Sequence, residues 1–433
     1  MTPATIQRTI EAVWRIESAR LVAALVRLTH DVGAAEELAQ DALVAALEQW
    51  PQAGVPDNPA AWLMAISKHR AIDRLRRRTL SGGKHRELSY ELEILRGPGA
   101  PEDFVADDFG DDLLRLMFTA CHPVLAPEAR VALTLRLIGG LSTDEIARAF
   151  LVPEPTLAQR IVRAKRTLSE AQVPFEIPCG EDLSERLASV LQVIYLIFNE
   201  GYAATAGDDW VRPALCEDAL RLGRMLGELA PKEPEVHGLV ALMEIQASRL
   251  GARVDAAGTP ILLLNQDRAR WDQLLIHRGV DALQRAARLN GAQAPAFAQF
   301  AIPPGPYVLQ AEIAACHARA LTADATDWHR IAALYAALMV LTPSPVVELN
   351  RAVAVAMASG PAAGLDIVDF LAHEPSMRSY HLLATVRGDL LEKLGRYDEA
   401  GAEFQRAAQL TGNTREQRLL NERAVRCGAL YLR

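Results

Sequence analysis

Gln159, Arg160, Arg163, Lys165 and Arg166 fall within about two helical turns, and no acid follows until Glu170. Arginine and glutamine offer paired donors to base edges, and any cation attracts phosphate. Thr156 adds a hydroxyl at the start of the same segment. A second basic set runs from Lys68 to Arg86, with eight Lys or Arg residues against the single acid Asp73. Trp62 lies just before it. Cations that follow a backbone, beside an aromatic ring that stacks on bases, suit single-stranded or melted nucleic acid. Burial of Trp62 in a core is the equal alternative. Glu36, Glu37, Gln40 and Asp41 form an acidic patch near a helix start, where acids suit the helix dipole or offer a docking face to a basic partner. All of this is recognition chemistry. No catalytic constellation is visible, and no cofactor or metal is expected.

The elements that must hold these residues are helical. Half of the 433 residues are apolar, only 6% are aromatic, and strand-type alternation is nearly absent. A chain this long predicts two or three domains. Ala34 to Trp50 carries Leu38, Ala42, Ala45 and Trp50 on one side. Pro51 to Pro59, with three prolines, Gly54, Asp57 and Asn58, predicts a loop. Ala60 to Thr79 predicts a helix with apolar Trp62, Leu63, Ile66, Ile72 and Leu75 and basic Lys68, Arg70, Arg74, Arg76, Arg77 and Arg78. Ser142 to Glu145 has the S-x-x-E form of a capping box. A second helix is expected from about Thr156, with Leu157, Ile161, Val162 and Leu168 buried. Two short helices and a tight turn, the second basic, is the layout of a helix-turn-helix. The bland alternative is a solvated helical hairpin.

The net charge of −8 hides a segregation, because Glu102 to Asp112 carries six acids and no base. The five cysteines, at 121, 179, 216, 316 and 427, lie far apart and show no zinc-type spacing, so reduced, mostly buried thiols of a cytoplasmic protein are expected. The first residues do not read as a signal peptide. The longest apolar run, Leu187 to Phe198, is too short to span a bilayer, and no membrane association is expected.

In order, the chain has an acidic helix, a Pro/Asn loop, a Trp-Leu helix rich in arginine, an acidic linker and a helix-turn-helix. Over roughly residues 10–172 this resembles the extracytoplasmic-function sigma factors of bacterial RNA polymerase. Each motif alone is modest, but three in the right order and spacing are strong. The resemblance implies an all-α fold with sigma domain 2 over residues 1–80, an acidic linker over 81–112 and sigma domain 4 over 113–173. It implies two partners, core RNA polymerase and promoter DNA, with no covalent chemistry of the chain's own. Carried over residue by residue, Glu37, Gln40 and Asp41 would contact core polymerase. Asp57 and Asn58 would hold a flipped −10 base. Trp62, Lys68, Arg70, Arg74, Arg77 and Arg78 would contact the −10 strand. Thr156, Gln159, Arg160, Arg163, Lys165 and Arg166 would read or flank the −35 duplex. Two departures bear on the turn: Leu151 stands where glycine is common, and Pro153 and Pro155 replace commoner capping residues.

Pro174 to Gly180 marks a boundary, and residues 181–433 predict a further helical domain. Gly388, Leu391, Gly395, Tyr397, Ala400, Phe404 and Ala407 fit the small and large positions of a tetratricopeptide repeat, without its closing proline. Pro345 to Leu365 has a similar helix-pair pattern. This extension resembles the subgroup with C-terminal tetratricopeptide-like domains, and an intramolecular contact between it and the sigma domains is expected. Asn199 to Tyr202 and Asn265 to Asp267 read as caps and turns. Six histidines, His237, His277, His317, His329, His373 and His381, are scattered singly. Two rival readings are a helix-turn-helix regulator that never joins polymerase and a repeat scaffold that binds other proteins.

Overall fold

The computed structural model describes residues 3–82, 106–150, 152–204, 206–207, 209–255, 258–291 and 304–431. The fold is all-α. The described strands are two residues each, β1 (Ala206–Gly207) and β2 (Gly412–Asn413), paired in parallel. The chain divides into two compact units, residues 1–194 and 195–433.

In the first unit, α1 (Pro3–Thr29), α2 (Val32–Ala53) and α3 (Pro59–Gly82) pack on one another. Asp31 caps α2, its Oδ1 accepting from the Ala34 amide at 2.7 Å. Leu38, Ala42, Ala45 and Trp50 are all buried, as their spacing predicts. The loop is shorter than composition suggests, because α2 runs through Pro51 to Ala53. Pro51 lacks an N–H and leaves the Leu47 carbonyl without its helical partner, which is tolerated near a helix end, where Leu47 itself is exposed. Gly54, at φ +90, ends the helix with its N–H on the Trp50 carbonyl at 2.9 Å. Asn58 then caps α3, its Oδ1 accepting from the Ala61 amide at 3.0 Å.

Next come α4 (Ala106–Ala120), α5 (Pro127–Leu137), α6 (Thr143–Ala149) and α7 (Glu154–Glu170). α4 begins inside the span expected to be linker, and residues 83–105 lie outside the described set. Leu113, Leu114, Leu116 and Met117 bury its apolar side. Asp112, counted among the linker acids, is 1% exposed and pairs with Arg115 at 2.7 Å and Arg27 at 3.4 Å. The capping box at α6 is reciprocal. The Ser142 amide donates to Glu145 Oε2 at 2.7 Å, and the Glu145 amide donates to Ser142 Oγ at 3.1 Å. α7 starts two residues earlier than expected, with Pro155 in its first turn, where no N–H is needed. Leu157, Ile161, Ala164 and Leu168 are buried. Val162 is not, at 63% exposed: one step past Ile161 it turns about 100° away and joins the face of Arg166. Leu151 lies outside the described residues.

α8 (Glu181–Tyr202) begins in the first unit. There Arg186 donates to the Phe118 carbonyl at 2.9 Å, and Ser189 Oγ donates to the Cys121 carbonyl at 2.5 Å. Both carbonyls belong to the last turn of α4 and its end, so α8 satisfies groups that the helix itself leaves open. Burial pushes the Cys121 thiol up to about 11.

The second unit continues with α9 (Pro213–Leu229), α10 (Pro234–Ala247), α11 (Gln273–Leu289), α12 (Pro306–Arg319), α13 (Trp328–Leu341), α14 (Pro345–Ser359), α15 (Pro361–Leu371), α16 (His381–Lys393), α17 (Tyr397–Leu410) and α18 (Thr414–Tyr431). Most sequence neighbours pack on one another, as in stacked helical hairpins, while α12 packs more on α10 than on its neighbour α11. In α16–α17, Phe404 is fully buried, and a Cβ on Gly388 would lie 2.8 Å from its ring. The small residue is there to admit the large one. Gly364 likewise lets α15 approach Ala356 of α14. Asn413 ties the two ends of the unit together, donating to the Asp209 carbonyl at 2.9 Å.

Candidate nucleic-acid interface

α7 carries the interface. On its outward side Thr156, Gln159, Arg163 and Arg166 are exposed, and Arg160 is half-buried. Arg166 reaches Glu170 at 3.3 Å, with both side chains in solvent, a pair weak enough to exchange for phosphate. Ile161 and Leu157 seat the helix from below, so the cationic face is held by apolar packing rather than by its own charges.

Lys165 does not share that face. Its ammonium pairs with Glu36 of α2, and Arg136 Nε of α5 donates to the same carboxylate at 2.7 Å. Gln40 Nε2 also donates to Glu36, at 2.8 Å. Glu36 is 6% exposed. Burial works to raise its pKa, but Lys165 and Arg136 together hold it below the usual carboxylate value. Nearby, Ser169 Oγ donates to Asp31 Oδ2 at 3.2 Å. The basic helix is thereby tied to the start of the acidic one. Sequence reasoning placed Glu36 in an acidic patch that suits the helix dipole or offers a docking face to a basic partner. Its clue was position: it lies three residues before buried Ala39, on a side of α2 that cannot face water.

On the other side of α2, Glu37 and Asp41 are exposed in line with Val44, which is 49% exposed. Asp41 lies 3.5 Å from Arg70 of α3, so one acidic and one basic candidate meet. Gln40 is turned to Glu36 instead. Lys68 is half-buried, and burial, with Arg27 adding to it, pulls its pKa down. Trp62 is half-buried, its ring meeting Trp50 edge-on at 5.4 Å between centroids. It contributes to the core and keeps an open side. Asp57 and Asn58 are both exposed, but the Asn58 carboxamide oxygen is occupied as the cap of α3. Arg74, Arg77 and Arg78 lie on the helical backbone of α3, and their side chains are outside the described residues.

Among the described residues no group of three or more His, Cys, Asp or Glu side chains could hold a metal ion, and no helix is long and apolar enough to cross a membrane.

Residues 15–80 match the sigma-70 region 2 family and residues 115–168 the sigma-70 region 4 family. Residues 186–287 match a family of unknown function, DUF6596. The chain is 43% identical over 398 residues to uncharacterized protein R00370 of Rhizobium meliloti (strain 1021), covering 91% of this chain and 90% of that protein. It is 28% identical over 167 residues to the probable ECF RNA polymerase sigma factor SigI of Mycobacterium tuberculosis (strain ATCC 25618 / H37Rv), covering 38% of this chain and 56% of that one. It is 29% identical over 155 residues to the ECF RNA polymerase sigma factor SigK of Mycobacterium ulcerans (strain Agy99), covering 34% of this chain and 78% of that one. No solved structure matches.

Proposed function

Because this chain belongs to the extracytoplasmic-function branch of the sigma-70 family, with a C-terminal extension, and directs RNA polymerase to promoters, we propose how its residues divide that work. The α7 face of Thr156, Gln159, Arg160, Arg163 and Arg166 enters the −35 major groove. Its arginines donate to base edges and phosphates. The α3 segment from Trp62, with Lys68, Arg70, Arg74, Arg77 and Arg78, follows the −10 strand, and Asp57 in the preceding loop faces the extruded base. Glu37 and Asp41 dock on core polymerase, and Arg70 exchanges Asp41 for DNA phosphate as the complex forms. The chain supplies binding energy and position, while polymerase supplies the bond-making chemistry. It works in the cytoplasm, where its template lies.

The observation that carries this reading is the outward face of α7. It is cationic, backed by an apolar seat and preceded by a reciprocally capped short helix. The Glu36 contact adds a resting form. With Lys165 and Arg136 held on α2, α7 and α2 are tied together, and reading a −35 and a −10 element at once requires their separation. We further propose that the extension beyond α8 sets that arrangement, since Arg186 and Ser189 hold the start of α8, within the first unit, on the end of α4.

Run-off transcription with core enzyme on a promoter library tests the whole. Full-length chain should select promoters with paired −10 and −35 elements, and a chain ending at Val173 should differ from it in activity at equal protein level. Absence of any promoter-selective transcript would refute the function. Equal activity of the two chains would refute the role of the extension.

A further inference from the structure

Several arginines of the second unit pair with acids. Arg212 meets Glu200 at 2.5 Å, Arg224 meets Glu244 at 2.7 Å, Arg387 meets Asp369 at 2.8 Å, and Arg423 meets Asp389 at 2.8 Å. A cluster of three buried or half-buried arginines does not. Arg249 and Arg253 flank a single 3₁₀ turn, Leu250–Ala252, and both guanidinium groups meet the Tyr202 ring. With Arg268 they interleave with three aromatic rings. Arg253 lies 5.9 Å from the Trp210 centroid and 3.7 Å from that of Tyr202. Arg249 lies 5.7 Å from Tyr202 and 5.8 Å from Trp271, and Arg268 lies 4.8 Å from Trp271. The rungs run Trp210, Arg253, Tyr202, Arg249, Trp271, Arg268. The cap-and-turn motifs at 199–202 and 265–267 flank this ladder.

No carboxylate of a described residue pairs with any of these three arginines. Arg249 is 7% exposed, and its Nε, like that of Arg253, is buried without a hydrogen-bond partner. Trp271 Nε1, Gln266 Oε1 and His317 Nδ1 are buried and unpartnered as well. Arg268 donates to the carbonyls of His317 and Ala320 and to Thr326 Oγ1, which engages both terminal nitrogens but brings no counter-charge. Ring faces attract cations without neutralising them, and buried charges in proteins are otherwise paired. The field is felt locally. Burial, then Arg249 and Arg268, drive His317 down to about 3, leaving it neutral.

We propose that the Arg249–Arg253 end of this ladder binds a small oxyanion, a phosphate or carboxylate group, that supplies the missing negative charge. A guanidinium fork matches either group with two parallel hydrogen bonds, and the half-buried Tyr202, Trp210 and Arg253 give the ligand its way in. The rival is a purely structural clamp between loops.

The test uses the full chain without polymerase, so its outcome is independent of promoter activity. Inorganic phosphate and acetate are titrated separately at constant ionic strength against chloride, with tryptophan fluorescence and thermal melting as readouts. The proposal expects saturable binding of at least one of them, and which one identifies the group recognised. R253Q should weaken binding about ten- to a hundredfold, the loss of a charge-assisted hydrogen bond. In oxyanion-free buffer it should melt at or above wild type, because an uncompensated charge has gone. If R253Q does not fold, R253K, which keeps the charge but loses the fork, should still bind more weakly than wild type. No saturable effect of either anion on wild type, or unchanged affinity in both variants, overturns the proposal. So does an R253Q chain that melts below wild type in oxyanion-free buffer, which marks the clamp.

Discussion

The contact between α2 and α7 gives the sharpest quantitative expectation. In the closed form the Glu36 carboxylate is almost fully buried and is met by Arg136, Lys165 and Gln40. Two charges about 4 Å apart attract by about 4 kcal/mol at an effective dielectric of about 20. Burying the carboxylate offsets much of that, and the two cations, at 23% and 22% side-chain exposure, keep part of their hydration. When the helices separate, all three groups return to water. The net preference for the closed form from this cluster is therefore about 2 kcal/mol, between the values for exposed and fully buried pairs. Glu36→Gln keeps the shape and the Gln40 neighbour but removes the charge, so it should raise the open-to-closed ratio by about 30-fold. The assay is a distance distribution between spin labels at exposed Glu48 and Val162, with exposed Cys179 replaced, alongside affinity of the free chain for a −35 duplex. Arg136→Gln should act in the same direction, and the double variant should add little, since the two residues share one interaction. Because the folded pKa is depressed, the contact is present above the ordinary value of 4.5 and lost as pH falls through the lower folded value. It is therefore fully formed at neutral pH. Identical distance distributions and identical DNA affinity in wild type and both variants would refute the latch.

Other expectations follow from the same geometry. Arg163→Ala should cost about 1–3 kcal/mol at −35-dependent promoters and relax selectivity at one base if Arg163 contacts a base edge, and weaken all sequences alike if it contacts phosphate; normal promoter use would remove it from the interface. Replacing Glu37 and Asp41 together by lysine should weaken binding to core polymerase by several kcal/mol with little change in helicity by circular dichroism; unaltered affinity would clear α2 of docking. Asp57→Ala should spare core binding and lower permanganate reactivity of the melted −10 strand. It is a cleaner test than changing Asn58, whose loss as the α3 cap would by itself cost about 1 kcal/mol. Phe404→Ala should destabilise the α16–α17 hairpin by about 3–5 kcal/mol, because Gly388 offers no side chain to refill the space, and chemical denaturation should show it.

Much of this protein is legible in the chain itself wherever the governing interaction is local. The capping box at Ser142 to Glu145, the apolar rows of α2 and α7, and the Gly388–Phe404 fit obey spacing rules of three, four or one hairpin. Their order along the chain specifies the family. The same rules misplace Val162 only because one residue is a third of a turn. They shorten α2 because composition cannot tell a proline in a last turn from one in a loop. What no local rule reaches is the pairing of residues far apart in sequence. Glu36 and Arg136 are separated by 100 positions, and burial rather than charge pattern selects Glu36 over its neighbour Glu37. Asp112 reads as one more linker acid until Arg27 arrives from α1. Lys165 belongs to the basic helix by sequence and to the α2 contact by packing. The arginine–aromatic ladder is assembled from segments around 202–210, 249–253 and 268–271, each unremarkable alone. Charge and periodicity can be counted along a chain, but which charges leave water together, and what must neutralise them, is decided by the tertiary fold.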